Sequence, residues 1–81
     1  MEEKITASAI ANRKGKDKIV MVTATDEPTG RLVDQAGVDV VLVGDSLAMA
    51  VLGRPNTLSV TMEEMLHHIR AVAQGVRRAL V

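Results

Sequence analysis

The residues best suited to chemistry stand together at one point: Gly44-Asp45-Ser46, directly after the apolar run Val40-Val41-Leu42-Val43. A run with no polar residue interleaved is the pattern of a strand buried on both faces of a parallel sheet. In such sheets the ligand site lies just beyond the carboxyl ends of the strands. Asp45 is therefore expected as a carboxylate on that rim, suited to a hard divalent cation such as Mg2+, which takes oxygen ligands. Ser46 beside it can hydrogen-bond a substrate carboxylate through its hydroxyl or its backbone N–H. Asp is also a favoured helix N-cap, here for residues 47–52, and spacing alone leaves both roles open.

Other candidates are weaker. Asp26 stands at the end of an earlier apolar run, near Thr23 and Thr25, but Pro28 two residues on makes it a helix cap first. His67 and His68 are adjacent on an amphipathic stretch, so they point about 100° apart and cannot share a metal as an i, i+4 pair does. One is expected to pack and the other to be wet. The methionines read as core fillers.

The elements that must position these residues follow from periodicity and turn chemistry. Ile19–Ala24 reads as a first strand. A helix then opens at Asp26, turns Leu32, Val33 and Ala36 inward and closes at Gly37. Gly30 inside it costs about 1 kcal/mol against alanine, which marks either a strand packed close or a suboptimal position. Val38–Val43 is the second strand, and the strand–helix–strand order predicts that the two run parallel. A helical turn at residues 48–52 leads into the loop 51–56. Thr61 and Glu64 form a capping box for a helix whose inner face is Met65, Leu66, Ile69, Val72 and Ala73, ending at Gly75. Arg78–Val81 opens a third strand. Ahead of all this, residues 1–17 hold a modest helix with Ile5, Ala9 and Ile10 on one face, Gly15 as its stop, and Lys14 and Lys16 as a solvated end. The expected architecture is one α/β domain over 1–81: leading helix 1–17, then βα units 18–81.

Composition bounds the rest. Ten acidic and ten basic side chains balance, so no basic face calls for nucleic acid. There is no cysteine, hence no disulfide framework and no thiolate zinc site. No apolar run approaches the roughly 20 residues of a membrane span, and no signal-peptide pattern opens the chain, so a cytoplasmic protein is expected. With no Phe, Tyr or Trp, the core must come from Val, Leu, Ile, Met and Ala, and there is no stacking platform for bases. At 81 residues the domain is short, and because the last residues read as the opening of a strand, a fragment of something larger is expected.

Lys18 to Ala24, Arg31 to Leu47 with its Val43-Gly44-Asp45-Ser46-Leu47 core, Thr57-Leu58 with Val60-Thr61, and Arg70 to Ala73 with Gly75 together resemble the ketopantoate hydroxymethyltransferase family. That family folds as a (β/α)8 TIM barrel. The resemblance implies that residues 1–81 are one incomplete barrel domain: the helix that plugs the barrel bottom, two βα units and the start of strand three. It implies transfer of a hydroxymethyl group from 5,10-methylenetetrahydrofolate to 3-methyl-2-oxobutanoate, giving 2-dehydropantoate for pantothenate and coenzyme A. It implies Asp45 as a Mg2+ ligand and, with Ser46, a contact to the oxo acid, with no catalytic base inside this chain. It also implies a homo-oligomer, decameric in family members. The sequence departs from the family pattern at Thr25 and Glu27, where aromatics are usual, at Ala48, at Arg54-Pro55-Asn56, at Ser59 and at His67.

Two other readings compete. Asp39 to Met49 is similar to the phosphoacceptor strand of response-regulator receiver domains, with Asp45 as acceptor, although those carry an acidic pair after the first strand. Alternatively the chain is a non-catalytic partial barrel that self-associates through unpaired strand edges.

Overall fold

The computed structural model describes residues 3–81. Strand β1 (Met21–Thr23) pairs in parallel with β2 (Val40–Leu42), in the register Met21–Val40, Val22–Val41, Thr23–Leu42. Helix α1 (Ala7–Ala11) precedes them, α2 (Glu27–Gln35) joins them, and α3 (Leu47–Ala50) and α4 (Met62–Gly75) follow. Alternate residues of β2 bond to opposite sides. Val40 N–H donates to Val20 and Ala24 N–H to the Leu42 carbonyl, while Val41 N–H donates to Leu80 and Leu80 N–H to Asp39. The third strand expected over 78–81 is thus a single parallel bridge, Val40 to Leu80. β2 lies in the middle, and the strand positions follow chain order.

Helices α2 and α4 pack on one side of this sheet. The core between them is Ala24, Val38, Val41, Val72, Val76 and Ala79. The expectation that the strands are buried on both faces is corrected here. Val41 is buried, but Met21 and Leu42, on the opposite face, are 57% and 43% exposed, because no layer covers that side.

The inner faces of both long helices match expectation at Val33 and Val72, which pack in or against the core, and differ at other positions. In α2, Leu32 is 67% exposed and Ala36 is exposed, whereas Gly30 and Asp34 are buried. The reason is the closeness of α4. A Cβ on Gly30 would stand 3.0 Å from the Val72 carbonyl oxygen, so the glycine marks a helix packed close rather than a strand. The stripe facing α4 therefore runs through Glu27, Gly30 and Asp34, at i, i+3 and i+7. On α4 the buried positions are Val72 and Gly75, while Leu66 and Ala73 face out. Gly75 is the last helical residue, and it is small because it touches α2.

The caps are as the sequence implies. Asp26 accepts the Thr29 N–H at 2.8 Å, and Gly37 leaves α2 with φ of 93°. The Thr61–Glu64 capping box is formed in both directions. The leading helix is shorter than residues 1–17: Thr6 caps it, and it ends at Ala11, with Asn12 as C-cap, before a turn through Gly15. Residues 1 and 2 of the expected 1–17 span lie outside the described residues. Ile5 and Ile10 are half-buried and Ala9 is exposed, so the expected apolar face is not a core face. Polar ties hold this segment to the lower edge of the sheet. Arg13 pairs with Asp39 at 2.6 Å, Lys4 Nζ donates to the Ala79 carbonyl, and Ile5 N–H donates to that of Arg78.

Asp34 was not legible as a structural centre. Its carboxylate, 8% exposed, accepts the backbone N–H groups of Arg77, Arg78 and Ala79. Burial pushes this carboxyl up, but the N–H groups of Ala79, Arg77 and Arg78, with Lys4 nearby, outweigh it and hold it below the usual value. A carboxylate with a lowered folded-state value contributes stability that is in place above about pH 4 and is lost as pH falls through the lower value. Asp34→Ala would leave the three N–H groups of residues 77–79 without this acceptor, so a loss of about 3 kcal/mol is expected in urea melts at pH 7. That difference should shrink in melts near pH 2, and a constant difference at both pH values would contradict the assignment.

Candidate functional site at the strand tips

Parallel pairing places the carboxyl ends of β1 and β2 on one edge. The register ends at Thr23–Leu42, and Thr25-Asp26 and Gly44-Asp45 follow the two strand ends on that edge. Asp45 and Ser46 are both exposed on this rim. Helix α3 fixes the segment from below, since Leu47 and Ala48 are fully buried. The chain turns into that helix at once: Ala48 N–H donates to the Asp45 carbonyl and Met49 N–H to that of Ser46, each at 3.0 Å.

The choice left open for Asp45 now narrows. The cap position of α3 belongs to Ser46, with φ of −56° and ψ of −17° and no side-chain cap bond. Among the described residues, no side-chain hydrogen bond engages the Asp45 carboxylate. Asp26 behaves otherwise. Its carboxylate is spent on Thr29, whose hydroxyl and backbone N–H draw it below the usual carboxylate value. One rim carboxylate is a cap, and the other is free for a ligand.

The histidines divide as expected. His68 is half-buried and its Nδ1 lies 2.7 Å from the Thr25 carbonyl oxygen, while His67 is exposed. A bond to a carbonyl assigns the proton to Nδ1. The rings meet edge to face with centroids 5.3 Å apart. Both line a cavity of about 470 Å³ with Leu52, Thr61, Glu63 and Glu64. A second cavity, about 380 Å³ and apolar, lies among Val40–Val43, Ile69, Leu80 and Val81. Neither is lined by Asp45 or Ser46.

Among the described residues, no three His, Cys, Asp or Glu side chains gather as a metal-binding group. The donor chemistry nevertheless fits one position of a hard-cation site. Asp45 offers an unengaged carboxylate oxygen on an open rim, and Mg2+ keeps most of its shell as water or substrate oxygen when a protein supplies only one or two carboxylates.

Two further residues, Arg54 and Glu64, join the loop after α3 to the start of α4 through two hydrogen bonds. Sequence reasoning assigned Glu64 only its cap and Arg54 only a loop. An arginine ten positions before a glutamate carries no periodic signal.

Among the described residues, no helix is long and apolar enough to cross a membrane. The family model for ketopantoate hydroxymethyltransferase matches residues 4–81. The chain is similar to the 3-methyl-2-oxobutanoate hydroxymethyltransferase of Thermococcus kodakarensis, with 60% identity over 77 residues, 95% of this chain and 27% of the relative. It is similar to the protein of that name from Syntrophobacter fumaroxidans, with 56% identity over 81 residues, all of this chain and 29% of the relative. The chain thus spans between a quarter and a third of the length of these relatives. The match includes the strand on which a phosphoacceptor reading rests, and it favours the transferase instead. With a matched stretch running from Lys4 to Val81, the chain belongs to the ketopantoate hydroxymethyltransferase family.

Proposed function

We propose that this chain supplies the opening βα units of a (β/α)8 barrel, and that the barrel transfers a hydroxymethyl group from 5,10-methylenetetrahydrofolate to 3-methyl-2-oxobutanoate. The observation that carries this reading is the unengaged Asp45 carboxylate on the carboxyl-end rim, inside the family match. In barrel enzymes that rim holds the chemistry, and the inward face of the strands is filled by other strands. The exposed face bearing Met21 and Leu42 is the one such closure would cover.

Asp45 would hold Mg2+, and Ser46 would orient the carboxylate of the oxo acid through its hydroxyl or backbone N–H. When bound, the cation supplies Lewis acidity that eases removal of the C3 proton of a 2-oxo acid. Asp45 is a ligand here and moves no proton. Buried Leu47 and Ala48 keep the Asp45–Ser46 pair from shifting as substrate arrives. The base and the remaining carboxylates come from other parts of the barrel, so the chain alone is expected to give no product. A cytoplasmic homo-oligomer suits this role.

The test is a graft. Residues 4–81 replace the matched segment of the Thermococcus kodakarensis relative. The hybrid is expected to form 2-dehydropantoate only when oxo acid, folate and Mg2+ are all present. A folded hybrid without activity, or turnover by the 81-residue chain alone, would overturn the proposal.

A further inference from the structure

We propose that Arg54 is a positioning residue that sets the Asp45–Ala50 rim segment by fastening the loop behind it to the first turn of α4. This deepens the reading of Asp45 as a rim ligand and rests on that reading only for its metal readout.

Arg54 joins three stretches of chain. Its backbone N–H donates to the Ala48 carbonyl at 2.8 Å, closing α3. Its guanidinium donates through Nη1 to Glu64 Oε1 at 2.9 Å and through Nη2 to Oε2 at 2.6 Å. Nη1 also donates to the Ser59 carbonyl at 3.1 Å. Glu64 is fixed in turn, because its Oε1 accepts the Thr61 N–H at 3.0 Å and so closes the capping box. The Arg54 guanidinium, then the Thr61 N–H, hold the Glu64 carboxyl down to about 2. The clasp therefore stays charged through any working pH, and it would open only as pH falls toward that value.

The geometry argues for position rather than stability. Both side chains are about a third exposed, 31% and 28%, where an ion pair adds little to folding. A two-pronged guanidinium–carboxylate pair instead fixes distance and orientation, which a lysine cannot reproduce. The rim segment is then held twice: by Leu47 and Ala48 in the core, and by Arg54 through the Ala48 carbonyl. Asp45 lies three residues before that carbonyl. A site residue kept within a narrow range by its supports is what a metal or substrate contact needs.

The experiment uses the 81-residue chain and two NMR readouts: amide hydrogen exchange, and broadening by Mn2+ as the metal probe. Arg54→Ala is expected to speed exchange at Met49, Ala50 and Val51 about tenfold, and to weaken Mn2+ broadening at Gly44, Asp45 and Ser46 about threefold. Glu64→Gln, which keeps the capping box, should act likewise, and the double variant should be no worse than either single one. Arg54→Lys should recover only part of the effect. Arg13→Ala, which breaks the Arg13–Asp39 pair at the opposite edge, is the control. It should lower the melting temperature without moving either readout. Exchange at 49–51 unchanged by both Arg54→Ala and Arg54→Lys, or equally raised by Arg13→Ala, overturns the proposal. If exchange responds as expected but Mn2+ touches nothing near Asp45, the clasp stands and the metal role of Asp45 falls.

Discussion

Gly75→Ala is expected to lower the melting temperature of the chain by about 15 °C. A Cβ at this position would overlap the Glu27 carbonyl oxygen and would stand 2.9 Å from the Arg31 backbone nitrogen. These are backbone atoms of α2, so no side chain can swing away, and α2 must move off α4. α2 and α4 pack directly on each other, and Val41 and Val72 belong to the core beside them. Overpacking of this kind costs about 3 kcal/mol, against a gain of about 1 kcal/mol for alanine over glycine in a helix. In a domain this small, each kcal/mol moves the midpoint by about 4–8 °C. Gly30→Ala should act in the same direction with about a third of the effect, because its Cβ would meet the Val72 carbonyl at 3.0 Å. Thermal melts followed by circular dichroism decide it. An unchanged midpoint for Gly75→Ala would mean that the helices do not pack this closely.

Asp45→Ala is expected to cut kcat/KM of the grafted enzyme by a factor on the order of 100 or more. Asp26 makes the contrast informative. Both carboxylates stand at carboxyl ends of neighbouring parallel strands, yet one caps α2 through Thr29 and the other is unengaged. Asp26→Ala should therefore lower the melting temperature and leave kcat within about twofold, since a cap residue acts on stability. Asp45→Ala should do the reverse. Asp45→Asn, which keeps the shape and removes the charge, should fall close to the alanine variant, because a hard cation is held by charged oxygen. Steady-state rates at saturating Mg2+, set beside melting curves, separate the two roles. Equal losses from both variants would contradict the assignment.

The order of elements was legible because it is written in local signals: Asp26 and Thr61 as caps, Gly37 as a stop, and the apolar run at Val40–Val43 as a strand. The rim position of Asp45 followed from that order alone, since a parallel pair has only one carboxyl edge. The inner faces of the helices were legible only in part: Val33 and Val72 face the core as read, but other positions of each face were not legible. Leu32 faces out and Asp34 in because two glycines bring the helix backbones into contact, and periodicity counts hydrophobicity rather than the room between helices. Gly75 does end α4 as read, but its close approach to the Glu27 backbone was not legible. Asp34 and Asp39 were missed for a different reason. Each carboxylate is buried against backbone N–H groups or an arginine far away in sequence, and no spacing rule reaches that distance. The open face at Met21 and Leu42 was hidden because a buried-strand pattern states what a strand is built to meet, not what this chain contains.

The most direct measurement is exchange of the C3 proton of 3-methyl-2-oxobutanoate in heavy water, followed by proton NMR without folate. It isolates what the rim does to the oxo acid from the transfer that follows. The grafted enzyme with Mg2+ should erase the C3 signal well above the background rate, and Asp45→Ala should return it to background while Asp26→Ala does not. Exchange by Asp45→Ala at the rate of the unmodified graft would contradict the role given to this carboxylate.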